Sequence, residues 1–443
     1  MSGHGAGAPP PPRAELAAFA AQPTPAGIKR AAWMAAIVGL LIFLIYLAVD
    51  ADRAWRAFYI NWLYFAAISS AGVTLAAVQR IATARWSREV VRFVEGFVAF
   101  LPVAFVFLVL IVTLGYSHIF PWAHVMPPVE EKRFYLAPGF FIPRVLILFA
   151  VIMALAVWFV YTSVRLDVGV VPEAGASWAA GIRARMRRGF GDERRELHTT
   201  HSRQGVLCVF IILTFGFFWE ALAFDLSMSL DMHFESTLYG WWWFMTAWIG
   251  AIMVFSLLTM WWRKTLHGES LVQERHFHDL GKLGFAFTAF WGYLTFGQYL
   301  VLWYGNMANE THFFRLRAIA PWAPLTAIIA VLVFVLPFFG LLSRAAKVYL
   351  PTFALFAWSS IIGTWLQRYG EVYPSLYGIP AHMPLGIPEL GLLLFYLGVW
   401  GTCYFAFMDA FPKMRVFLMT SPYRDEVQVP VDPRTMEPLP ATE

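Results

Sequence analysis

Two carboxylates stand inside an otherwise apolar stretch of this chain. The segment reads Trp219-Glu220-Ala-Leu-Ala-Phe-Asp225-Leu-Ser-Met228-Ser229-Leu-Asp231-Met-His233-Phe-Glu235-Ser236-Thr237. A carboxylate at the centre of a bilayer costs roughly 3 kcal/mol on insertion scales, so it is a functional candidate by default. These residue types suit the handling of protons, or of a polar headgroup, within a membrane. Glu220 and Asp225 lie five positions apart, about 140° around a helix, so they cannot form a paired dyad. They can act as successive proton stations or face different neighbours. Ser229, one turn beyond Asp225, can cap or relay. His233 follows at an outer exit, where an imidazole titrates near neutral pH. Asp231 reads as a helix terminator, a role that Glu220, deep in the apolar run, does not admit.

Other polar residues fall inside apolar runs. Arg92 and Glu95 are three apart on one helical face, either as a local ion pair or as the mouth of a proton path. The run Trp291-Gly-Tyr293-Leu-Thr295-Phe-Gly-Gln298-Tyr299-Leu-Val-Leu-Trp303-Tyr304-Gly-Asn306 sets Thr295 and Gln298 one turn apart. With Tyr304 and Asn306 they can hold a ring carbonyl, or bond across helices as structural glue. Thr364, Gln367, Arg368 and Glu371 gather at the outer end of a later run. Asp409 sits near an inner end, as an interfacial residue or the end of an inner half-path. The proton-relay candidates are therefore Glu95, Glu220, Asp225, His233 and Asp409.

The elements that carry these residues must be membrane helices. The chain is 59% hydrophobic and 14% charged, with mean hydropathy +0.60, which excludes an ordinary soluble domain. Continuous apolar runs, not ten-residue alternation, select helices over a barrel. Ten runs are expected to span: 31–50, 57–79, 91–116, 138–163, 205–227, 238–262, 283–307, 318–342, 348–367 and 388–411. Of the 33 Lys and Arg residues, 25 fall on one side of this arrangement and 8 on the other. The positive-inside rule then puts both termini in the cytoplasm. Residues 1–30 read as a disordered cytoplasmic arm without a signal-peptide pattern. Residues 164–204 read as a basic cytoplasmic loop whose Arg183–Arg188 run lies on anionic lipid. Residues 412–443 read as a cytoplasmic tail that binds a partner or hangs free. Positive charge confined to membrane-flanking loops argues against nucleic acid.

Cofactor signatures are absent from the sequence. Cys208 and Cys403 have no zinc, iron–sulfur or c-type haem spacing. The 11 histidines fall in loops or at run ends, whereas a b-type haem needs axial ligands in the bundle interior. His267, His276 and His278 share one loop and read as solvated. No Gly-rich phosphate loop occurs. The expectation is a chain that binds no haem, metal or cluster, so that any redox work uses a diffusible membrane carrier.

Three blocks together resemble a known family. Asp225-Leu-Ser-Met228-Ser229-Leu-Asp231-Met-His233-Phe-Glu-Ser236-Thr237, Gln298-Tyr299-Leu-Val-Leu-Trp303-Tyr304-Gly305-Asn306 and Ser117-His118-Ile-Phe-Pro121-Trp122-Ala123-His124 resemble blocks of the NrfD/PsrC-like, ActF-type membrane subunits of alternative complex III. Leu226, Met232, Phe234 and Ala308 depart from the family pattern at loop and packing positions. The resemblance implies an all-α subunit of ten transmembrane helices, two four-helix bundles plus two flanking helices. It implies a subunit of a respiratory quinol:acceptor oxidoreductase in the bacterial inner membrane. Its partners would be an ActC-like sister subunit, haem c subunits and an iron–sulfur subunit, and menaquinone or ubiquinone would be the substrate. The quinol pocket of that family belongs more securely to the sister subunit, so the catalytic share of this chain stays open.

Two other readings stand beside it. A proton-coupled secondary transporter would use Glu220 and Asp225 for coupling; Pro102 and Pro337 interrupt the third and eighth runs, as broken transporter helices are interrupted. A purely structural scaffold for redox subunits is the third.

Overall fold

The computed structural model describes residues 12–84, 86–127, 130–423 and 426–427. The described residues form helices and connecting turns, with no strand among them. Eight helical segments are long and apolar enough to cross a membrane. They contain α1 (Arg13–Ala21) and α2 (Ala26–Val49), α3 (Ala51–Ile81), α4 (Val91–Glu95) and α5 (Leu101–Thr113), and α6 (Pro138–Val170). After the short α7 (Ala180–Arg187) come α8 (Glu193–Leu226) and α9 (Tyr239–Thr265). Two further long helices, α10 (Glu274–Gly305) and, later, α14 (Leu350–Tyr377), are less apolar. Between them run α11 (Ala308–Arg317), α12 (Ala323–Ala330) and α13 (Leu336–Gly340). Last come α15 (Ile387–Ala410) and α16 (Val416–Thr420).

Helix α3 is the hub. It packs on α5, α8, α9, α14 and α15. It is the least apolar of the eight spans and the most completely buried. Lipid is as apolar as a protein core, so only a span hidden from lipid can carry Asn61, Ser69, Ser70, Thr74 and Gln79. Indole N–H groups satisfy two of them: Trp365 donates to Asn61 at 2.9 Å and Trp400 to Ser69 at 3.0 Å. Helix α6 packs on α8, and α9 packs on α10 and α14. Helices α2 and α15 pair along their length, backbone against backbone. Gly39 faces the Phe395 backbone and Gly398 the Ala36 backbone, so closely that no Cβ fits at either glycine.

Both proline interruptions appear as breaks. A 3-10 turn, Gly96–Phe100, joins α4 to α5 just before Pro102. A π-turn, Val331–Val335, joins α12 to α13 just before Pro337. Proline lacks the N–H that continues the helix ladder, which accounts for the local rewinding.

Three expectations about the flanks need correction. Within residues 1–30, residues 13–21 form a helix rather than a disordered arm. Arg13 pairs with Glu193 at 2.7 Å, and Leu16 and Ala20 are buried against Met414 and Val416. Residues 1–11 lie outside the described residues. The loop expected over 164–204 shrinks to 171–192, because α6 and α8 both extend into it. Arg183 in that loop is buried. It donates to the carbonyls of Pro172, Ala176 and Ala410, and burial pushes its guanidinium below the ordinary value. The beginning of the tail is packed too: Lys413, Met414, Val416 and Phe417 are buried, while 428–443 lie outside the described residues. His276 is not solvated. It is buried at the start of α10, accepts from Gln273 N at 3.0 Å and stands 3.2 Å from Glu89.

Candidate functional site

Glu220 and Asp225 do face different neighbours. Asp225, in the last turn of α8, is fully buried and takes both bonds of the Arg144 guanidinium, at 2.8 and 2.9 Å. The Tyr135 ring covers that guanidinium at 3.7 Å. Ser229 donates to the Asp225 carbonyl at 2.5 Å, closing the end of the helix. Glu220 is half-buried and makes no ion pair among the described residues. It packs against Gly240 of α9, where a Cβ would collide with its side chain.

His233 is exposed, and its backbone N–H donates to Asp231 at 3.2 Å. Asp231 also receives His312 at 3.2 Å, so it ties two outer turns together. Asp409 anchors both ends of the chain. It accepts from Thr24 N at 2.8 Å and from Thr24 Oγ1 at 2.6 Å, and pairs with Lys29 at 2.8 Å and Lys413 at 3.4 Å. Burial pushes Lys413 down to about 8, opposed by Asp409.

The residues expected to hold a ring carbonyl do not converge. Gln298 is buried and donates to Ser236 at 3.0 Å, and Thr295 accepts from Trp242 at 2.9 Å. Both act as glue between helices and loops. Tyr304 is 77% exposed, and Asn306 caps α10 in a left-handed conformation with φ 45° and ψ 34°. Neither points into a bundle.

Glu95 is the centre of a buried ionic cluster. Arg92 meets it at 2.6 Å, Ser163 donates at 2.9 Å, and Arg415 arrives from the tail to pair with it. Arg92 also pairs with Asp167 of α6, which accepts from Phe417 N at 2.8 Å. All four charged side chains are nearly or wholly buried. Two acids face two guanidiniums, so the cluster is neutral.

A second buried cluster lies at the opposite end of the bundle. Glu371 accepts from Arg368 at 2.6 Å and from Gln367 at 3.0 Å. Gln367 also reaches Thr246 at 2.8 Å. Arg368 donates to the Trp243 carbonyl at 2.6 Å and lies 3.8 Å from the centre of that indole. Arg317, at the end of α11, reaches in from the side. It donates to the carbonyls of Gly370 at 2.9 Å and Glu371 at 2.6 Å, and burial pushes it down to about 10.

A cavity of about 370 Å³ opens between α3, α9, α14 and α15; α14 walls it with Ile361, Trp365 and Leu366, and Gln367, Arg368 and Glu371 are not in its lining. Its walls are wholly apolar, with Tyr64, Trp358, Trp365, Leu366, Leu393 and Trp400 among them. Trp365 and Trp400 turn their N–H groups into the bundle, so only carbon faces the cavity. Trp358 and Ile362 are exposed, so one side faces the surroundings of the bundle. Tyr64 packs on the same helix as the cluster: its hydroxyl donates to the Ile361 carbonyl at 3.2 Å, about two helical turns before Arg368 along α14. The volume lies within the range of small-molecule sites.

No family model matches the chain, and no curated protein matches it either. The sequence pattern marks Gln367, Arg368 and Glu371 as a polar group but gives them no role. Tyr64 carries no signal at all, being one aromatic in an apolar run. Arg415 and Asp167 are equally silent, because nothing in a linear pattern joins them to Glu95. Among the described residues no group of three His, Cys, Asp or Glu is arranged to hold a metal.

Proposed function

We propose that this chain is a membrane subunit of a respiratory quinol:acceptor oxidoreductase that receives a lipid-soluble carrier against the helix that bears Glu371. The single observation that carries this reading is the apolar cavity of about 370 Å³, walled in part by Ile361, Trp365 and Leu366 of the helix that also bears the buried Gln367, Arg368 and Glu371. A quinol needs that pairing of environments. Its isoprenoid tail requires apolar walls open to lipid, and its hydroxyls require a proton acceptor that can be reached behind those walls. Glu371 is that acceptor, with Arg368 and Gln367 fixing its carboxylate and Tyr64 in the cavity wall. In this reading ten helices span the bacterial inner membrane with both termini in the cytoplasm. The groups α3, α4–α5, α6, α8 and α9, α10, α12–α13, α14 form two four-helix bundles, and α2 and α15 flank them. Glu220, outside any ion pair among the described residues, is the relay residue of the α8–α9 face, and Asp225 with Arg144 forms a charge pair.

The broken helices α4–α5 and α12–α13 favour a proton-coupled transporter as the second reading, with Glu95 at the first break. Purification from native membranes in mild detergent separates the two. The oxidoreductase reading expects c-type haem and an iron–sulfur subunit to travel with this chain and quinol oxidation in the same fraction. A haem-free oligomer that moves a solute with protons in proteoliposomes would overturn it.

A further inference from the structure

A polar chamber lies at the other end of the bundle, away from the carrier cavity. It has a volume of about 50 Å³ and sits between the end of α3, the turn into α4, α8 and the tail. Gln79, Arg80, Thr83, His201, Gln204 and Arg415 line it, and no carboxylate does among the described residues. The Arg415 charge is matched by Glu95. The Arg80 charge is not: among the described residues this guanidinium makes no ion pair. It donates instead to Gln204 Oε1 at 3.3 Å, to the His201 carbonyl at 3.2 Å and to His201 Nδ1 at 2.7 Å. A guanidinium has no acceptor atoms, so a neutral His201 that accepts at Nδ1 keeps its hydrogen on Nε2.

Gln79 is the second observation. Its side chain is buried at 6% exposure, yet among the described residues neither its amide nitrogen nor its amide oxygen has a hydrogen-bond partner. A buried amide left unmatched is costly unless something in the chamber bonds it. The backbone adds a sign of constraint. Thr83 lies at φ 49°, a left-handed conformation that a β-branched residue resists. That turn sets Thr83 at the mouth of the chamber. One ordered water needs roughly 10–15 Å³ of such a space, so this one holds about four heavy atoms, close to the size of a phosphate group.

We propose that the chamber binds a phosphate-class oxyanion, either free phosphate or the headgroup phosphate of an anionic lipid. Arg80 supplies the charge, and the Gln79 amide and His201 Nε2–H supply neutral donors. The Gln79 carbonyl receives a hydroxyl proton, from a P–OH of free phosphate or from a glycerol hydroxyl of a headgroup. This site is independent of the carrier reading, since it needs neither a quinol nor partner subunits.

The test uses the full chain purified in a neutral detergent and phosphate-free buffer. Inorganic phosphate is titrated while thermal unfolding is followed, with chloride at equal ionic strength as control. Chloroform-extractable phosphorus on the untreated protein is assayed in parallel. A saturable rise in Tm with phosphate identifies a free anion; stoichiometric extractable phosphorus identifies a lipid headgroup. Arg80→Gln is expected to weaken phosphate binding about tenfold, or to strip the lipid phosphorus, through loss of a charge-assisted partner. Gln79→Leu removes the unmatched amide without touching charge. It is expected to raise the Tm of the ligand-free protein and to abolish the phosphate increment, and it serves as the decisive variant if Arg80→Gln does not fold. A wild-type protein with neither a phosphate-dependent Tm nor bound phosphorus would overturn the proposal. So would a response retained unchanged in Gln79→Leu.

Discussion

The two buried ionic clusters sit at opposite ends of the bundle and are built in different ways. The Glu95 cluster draws on α4, α6 and the tail, and its four charges cancel in mutual contact. The Glu371 cluster is local. Gln367, Arg368 and Glu371 come from adjacent turns of α14, while Thr246 and Trp243 of α9 accept from Gln367 and Arg368, and Arg317 of α11 donates to backbone carbonyls. The first cluster closes a joint between distant segments. The second has one carboxylate and two guanidiniums, and its helix walls an apolar cavity. A buried carboxylate therefore does not mark a working site by itself. A carboxylate matched on every side is a lock, and one whose helix walls an accessible space is available for chemistry.

The largest expected effect tests the lock. Glu95→Gln leaves two guanidiniums, Arg92 and Arg415, against the single carboxylate of Asp167, all three side chains being buried. Removing one member of a buried charge network costs about 3–5 kcal/mol. Thermal unfolding in detergent should register that loss, and adding Arg415→Met should recover part of it. Normal stability of the single variant would mean that the cluster is not the joint described above.

A smaller loss is expected at the other end. Glu371→Gln keeps an acceptor for Gln367, and Arg368 keeps the Trp243 carbonyl and ring. Stability should fall by about 1–3 kcal/mol, the cost of a weakened buried hydrogen bond to a charge. Quinol oxidation by the intact assembly should fall far more than that. Equal activity in this variant would return the Glu371 cluster to a structural role and erase the contrast.

The cavity itself can be filled. Leu393→Trp adds bulk to an apolar wall and should leave stability within about 1 kcal/mol. Binding of a long-tailed quinone analogue should weaken about tenfold, equivalent to about 1.4 kcal/mol, while a tailless analogue is spared. Equal weakening of both would move the binding site away from this cavity.

The smallest effect concerns Lys413. Its value falls from the ordinary 10.5 to about 8 because burial penalises the charged form. Between those two values the unfolded chain binds more protons than the folded one, so stability rises with pH across that window. Below about 8 the full cost of burying the charge remains. The wild-type Tm should therefore climb relative to Lys413→Met as pH rises from about 8 toward 10.5. A flat difference between the two proteins would show that the tail is not seated at neutral pH.

Several features were legible in the residues alone. Apolar runs located the long helices but not all of their ends: α6 and α8 extend into the basic segment, α10 begins at Glu274 rather than near 283, and α14 runs on to Tyr377 rather than ending near 367. Pro102 and Pro337 located both helix breaks. The spacing of Glu220 and Asp225 foretold that they would part company. Tyr304 and Asn306, read as holding a ring carbonyl or bonding across helices, lie exposed for a local reason. They belong to the last turn and cap of α10, where side chains point away from the bundle. The short reach of the N-terminal arm and tail was misread because Pro- and Ala-rich segments look unstructured until a groove exists to receive them.

The sequence by itself determined where most of this chain is helical and which runs are apolar enough to enter a membrane. A helix satisfies its backbone hydrogen bonds within its own segment, so its existence is written locally. Only the tertiary structure decided that Arg415 meets Glu95 across 320 residues, that Asp225 finds Arg144, and that Tyr64 and Trp365 wall one cavity. Those pairings depend on which helix faces touch. In an environment as apolar as the core itself, hydrophobicity does not choose among faces, and close packing and the matching of buried charges do.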